Sequence, residues 1–98
     1  MAPPHIPIAA PRSELPCDRQ LWLAIAAELS LSPQQQRIVE LLLLGYQDKQ
    51  ISEKLKLSVP TVRTYLKRIF DRVGVADRVG LLLHVFAMAQ ERSNPASH

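Results

Sequence analysis

Two stretches of helical period, Asp48 to Leu55 and Val59 to Val73, are separated by only three residues, Lys56-Leu57-Ser58. A break that short does not let two helices lie side by side antiparallel. It predicts helices crossing at a large angle, a helix-turn-helix. In the first, Ile51 and Leu55 stand one turn apart. In the second, at about 100° per residue, Val62, Leu66, Ile69 and Val73 share an arc of roughly 60°, which is a buried stripe. Arg63, Thr64, Lys67 and Asp71 fall opposite, with Arg68 and Arg72 on one flank. Ser58 is placed to cap the second helix and Gly74 to stop it.

Charge gathers in the same place. Residues 49–78 hold eight bases (Lys49, Lys54, Lys56, Arg63, Lys67, Arg68, Arg72, Arg78) against three acids, a local charge of +5. The rest of the chain has four bases and six acids, a charge of −2, so the whole carries only +3. A basic patch on one helix-turn-helix is the electrostatic footprint expected of a nucleic-acid binder.

Signals elsewhere extend the helical reading. Ser32-Pro33-Gln34-Gln35 combines a capping hydroxyl, a proline at the first helical position and a glutamine three residues after the cap. Ile38, Val39 and Leu41 to Leu43 follow, and Gly45 is expected to end that helix in the left-handed conformation. An earlier helix starts at Asp18, with Leu21, Trp22, Ile25 and Leu29 on one stripe. A last helix opens at Asp77 and runs to about Glu91. No alternation of strand type occurs, so the expected class is all-α.

Five of the eight prolines lie in residues 1–16, which predicts an extended, disordered tail. Residues 17–30 then form an N-terminal helix, 31–91 the main domain and 92–98 a frayed end. The single Cys17 excludes an internal disulfide, and His5, His84 and His98 are too scattered for a metal site. With no nucleophile–base pair, the chain reads as a non-enzyme without cofactor. No apolar run approaches the ~20 residues of a membrane span. The N-terminus lacks a secretory pattern, so the expected location is cytoplasmic.

The helix at 77–91 is apolar on two sides. Val79, Leu82, Leu83 and Phe86 form one stripe, expected to be core. Leu81, Val85 and Met88 form a second, which needs a partner. That partner is either a second copy of the chain or the N-terminal helix with Trp22, from the same or the other chain.

Several motifs keep their spacing across four helices: Leu31-Ser32-Pro33-x-Gln35; Gly45; Lys49-Gln50-Ile51-Ser52; Leu57-Ser58-Val59-Pro60-Thr61-Val62-Arg63-Thr64-Tyr65; Gly74-Val75; Asp77-Arg78. Together, over about 31–90, they resemble the LuxR/NarL/GerE-type DNA-binding domain. The resemblance implies a four-helix fold, here with an additional N-terminal helix, whose helix 59–73 enters the major groove. Arg63, Thr64 and Lys67 would then face bases. Lys49, Thr61, Arg68, Arg72 and Arg78 would contact phosphate. The chemistry agrees: an Arg reads guanine O6 and N7 with two parallel hydrogen bonds, and a Thr methyl meets the thymine methyl.

The resemblance further implies double-stranded DNA as partner and a homodimer through helix 77–91, with Leu81, Val85 and Met88 at its interface. RNA polymerase would be a further protein contact. Three residues depart from the family pattern: Gln35 stands for a glutamate, Tyr65 for a histidine and Asp48 for an asparagine. Gln35 still reaches the Ser32 amide. Asp48 puts a negative charge near the expected DNA backbone and works against binding. The alternative function is a protein-interaction module with this fold that does not bind DNA. Family members usually carry a sensor domain ahead of this one, and the first thirty residues are too few for it. The chain therefore reads as either a single-domain regulator or a C-terminal fragment.

Overall fold

The computed structural model describes residues 18–93. The expected tail at 1–16, Cys17 and residues 94–98 lie outside the described residues. Within them there are five helices and no strand: α1 (Arg19–Glu28), α2 (Pro33–Leu43), α3 (Asp48–Leu55), α4 (Val59–Val73) and α5 (Arg78–Ser93). No single one of these helices is long and apolar enough to cross a membrane.

Each helix starts where a side chain satisfies amides that the first turn leaves unpaired. Asp18 Oδ1 accepts from the Leu21 amide at 2.7 Å, and Asp77 Oδ1 from the Gly80 amide at 2.8 Å. At α2 the reciprocal box is complete. Ser32 Oγ accepts from the Gln35 amide at 3.2 Å, and Gln35 Oε1 accepts from the Ser32 amide at 2.9 Å. Gln35 thus does the capping work of a glutamate. At α4, Ser58 Oγ accepts from the Thr61 amide at 3.2 Å. Gln50 Oε1 accepts from the Gln47 amide at the start of α3.

The turn between α3 and α4 closes on Lys56, which takes a left-handed φ of 57°. The Leu57 amide then reaches back to the Ser52 carbonyl at 2.9 Å. A side chain in that conformation is strained by about 1–2 kcal/mol, a strain that lets the chain reverse within three residues. Gly74, at φ 87°, ends α4 the same way without strain.

The fully buried core is aliphatic except for Trp22. Ile38, Val39 and Leu42 of α2, Ile51 of α3, and Val62, Leu66 and Ile69 of α4 meet at its centre. α3 packs chiefly on α4, and α1 packs on α5. α1 is fastened at both ends. Trp22 Nε1 donates to Glu40 Oε2 at 2.8 Å, with Arg19 Nη1 3.3 Å from Glu40 Oε1. At the other end Arg92 pairs with Glu28.

This docking corrects the expectation for α5. Leu81, Val85 and Met88, expected at a dimer interface, are 0%, 1% and 8% exposed within one chain. Val79, Leu83 and Phe86, expected as core, are 62%, 63% and 44% exposed. The physical reason is that α1 folds back onto α5 of the same chain, so Trp22, Ile25 and Ala26 complete the core against the 81/85/88 stripe. The opposite stripe is left facing outward.

Candidate nucleic-acid interface

α4 sets its cations outward because its apolar stripe is committed to the core. Val62, Leu66 and Ile69 are buried, which forces Arg63, Thr64, Lys67, Arg68 and Arg72 to the surface, where all five are exposed. Lys67, Arg68 and Arg72 have no ion-pair partner among the described residues. Unpaired guanidinium and ammonium groups on one exposed face can take anionic oxygens without first breaking a salt bridge. Arg68, Asp71 and Arg72 border a shallow depression with Gln35 from the start of α2, so that flank of α4, with one acid among its cations, joins the α2 N-terminus as one edge.

Thr64 gives its hydroxyl proton to the Pro60 carbonyl, 3.0 Å away and one turn back. That restrains an exposed side chain within its own helix. Lys49, the second residue of α3, is exposed.

Two of the residues expected at phosphate are engaged elsewhere. Thr61 is half-buried, its Oγ1 2.8 Å from Ser58 Oγ, so it belongs to the α4 cap. Arg78 is half-buried and points inward, donating to the Tyr46 carbonyl at 3.0 Å and pairing with Asp48. It fastens the start of α5 to the α2–α3 loop, and both ends of its fork are occupied. Lys54, counted in the basic patch, lies 4.7 Å from the centre of the Tyr46 ring, a cation–π contact within the chain.

Asp48 is the residue whose role the sequence misstates. Its charge does not stand free beside the expected DNA backbone. One carboxylate oxygen pairs with Arg78, and the other lies 3.5 Å from Nε of Arg63. The partners are 30 and 15 residues away in the chain, a separation for which no local pattern gives a signal.

Comparison with known proteins agrees with the geometry. Residues 29–85 match GerE, described as "Bacterial regulatory proteins, luxR family". The chain is 38% identical over 55 residues to a probable HTH-type transcriptional regulator, GfsR, of Streptomyces halstedii, covering 56% of this chain and 23% of that protein. It is 33% identical over 55 residues to the response regulator Rre1 of Synechocystis, covering 56% and 24%. It is 34% identical over 53 residues to the transcriptional activator protein BglJ of Escherichia coli, covering 54% and 24%. The chain thus spans about a quarter of the length of the curated relatives it matches. No solved structure matches it significantly. With the family match covering more than half of its residues, the chain belongs to the luxR family of bacterial regulatory proteins, and the match to its helix-turn-helix DNA-binding domain takes in α2, α3, α4 and the first half of α5.

Proposed function

We propose that this chain binds double-stranded DNA sequence-specifically as a regulator of transcription in the bacterial cytoplasm, with α4 in the major groove. The observation that carries the reading is the α4 face: exposed cations held outward by a buried apolar stripe, of which Lys67, Arg68 and Arg72 have no salt-bridge partner among the described residues. The descriptions of the relatives as transcriptional regulators support it. Arg63, Thr64 and Lys67 occupy the middle of that face and are the residues to read bases. Lys49, Arg68 and Arg72 lie beside it and are the residues to hold phosphate, which positions the protein without selecting sequence.

The division is testable by mutation. Arg63→Ala should cost about 1–3 kcal/mol on the preferred site and relax base choice at one position. Arg72→Ala should weaken all duplexes about equally and lower the slope of log K against log salt by about 2, one contact being lost from each protomer of a dimer. Fluorescence anisotropy on preferred and scrambled duplexes separates the two. The same uniform loss from both would refute the assignment of base and phosphate roles.

Dimerisation belongs to the same proposal, through a different face from the one the sequence suggested. Val79, Leu83 and Phe86 make an exposed stripe at i, i+4 and i+7 on α5, and a contiguous apolar strip of that kind is covered when a second copy lays the same strip against it. Two α4 helices then reach half-sites about one helical turn apart. Leu83→Asp should convert a dimer to a monomer in light scattering at tens of micromolar while leaving the circular dichroism unchanged. Val85→Asp, by contrast, should unfold the chain, because Val85 is core. A wild-type chain that is monomeric at that concentration would remove the dimer from the proposal.

A further inference from the structure

We infer that Asp48 is a positioning residue for base readout: it holds Arg63 by Nε so that the two terminal N–H groups of that guanidinium are presented to a guanine edge. The inference rests on the DNA-binding reading above. Asp48 is the first residue of α3, and its side chain is half-buried. It is fixed from behind, because Arg78, itself half-buried, donates to the Tyr46 carbonyl at 3.0 Å and binds one oxygen of the carboxylate. The other oxygen faces Nε of Arg63 at 3.5 Å, across from α3 to α4. Arg63 remains 70% exposed, and its terminal nitrogens make no hydrogen bond among the described residues.

An arginine has five N–H donors in a rigid fork. Engaging Nε removes the side-on pair and leaves the end-on pair of Nη groups, which matches guanine O6 and N7. Restraining a long side chain before binding also lowers the ordering cost at the interface. The negative charge on a surface that meets phosphate is compensated by Arg78 behind it.

The test compares the wild-type chain with Asp48→Asn, Asp48→Glu, Arg63→Ala and the double variant Asp48→Asn/Arg63→Ala. The probes are duplexes varied one base pair at a time around the preferred site. Asp48→Asn should lower discrimination by about two- to fivefold, the factor an exposed ion pair is worth, and only at the base pair that Arg63→Ala also affects. Asp48→Glu should recover part of it. In the Arg63→Ala background Asp48→Asn should change nothing. If Asp48→Asn instead tightens every duplex by the same factor, the carboxylate merely repels phosphate and the inference is overturned. Equal effects with and without Arg63 overturn it as well.

A second measurement does not depend on the variants folding. In the wild-type chain, the Arg63 Nε–H should exchange with water more slowly than those of Arg68 and Arg72 by NMR, and equal rates would sink the proposal. A wild type that binds duplex with no base preference would instead remove the DNA-specificity reading on which it rests.

Discussion

Replacing Trp22 by alanine will destabilise the domain by about 3–5 kcal/mol. Trp22 is 0% exposed and, among the described residues, is the only aromatic side chain in the fully buried core. Its indole joins α1 to the stripe of α5 and gives its N–H to Glu40 on α2. Truncation removes the apolar contact, leaves a cavity and takes one partner from a carboxylate. A domain of this size is stable by only about 4–11 kcal/mol, so the variant retains little reserve. A ten-residue helix has no stability of its own in water. Loss of Trp22 should therefore release α1 and uncover Leu81, Val85 and Met88, producing self-association beyond the proposed wild-type dimer. Denaturant melts and light scattering check both effects. Trp22→Phe, which keeps most of the volume and loses the indole hydrogen bond, should cost about 1.5–3 kcal/mol. A loss under about 1 kcal/mol for the alanine variant would mean that α1 is not part of the cooperative core.

Raising salt from 50 to 200 mM will weaken duplex binding by roughly 10³-fold if a dimer makes about six phosphate contacts. The count comes from Lys49, Arg68 and Arg72 on each of two protomers; Arg78 and Thr61 are excluded because their side chains are engaged within the chain. Three contacts from a monomer would give only about 40-fold over the same range. The slope thus reports the oligomeric state as well as the electrostatics. A flat response would favour a protein-interaction module that has the fold without the DNA function.

Most of the fold is legible in the sequence because its signals are local. Capping residues sit within three positions of the amides they satisfy, as Ser32 with Gln35 and Ser58 with Thr61. The glycines Gly45 and Gly74 adopt positive φ at the ends of α2 and α4. The stripe of Val62, Leu66 and Ile69 follows from helical period alone and orients the basic face. What was not legible depends on contacts between distant segments. Both stripes of α5 are apolar at helical spacing, so periodicity cannot say which one is core; the docking of α1 decides it. Arg78 and Asp48 each look like isolated surface charges in the sequence. Packing the start of α5 against the α2–α3 loop turns them into a pair and withdraws Arg78 from the phosphate set.

The central claim, that the α4 face reads base sequence in duplex DNA, is tested most directly by selecting bound duplexes from a random library with the full chain. The expected result is enrichment of one motif, arranged as a palindrome whose half-sites are centred about 10 base pairs apart. Recovery of a pool no different from the input would contradict it.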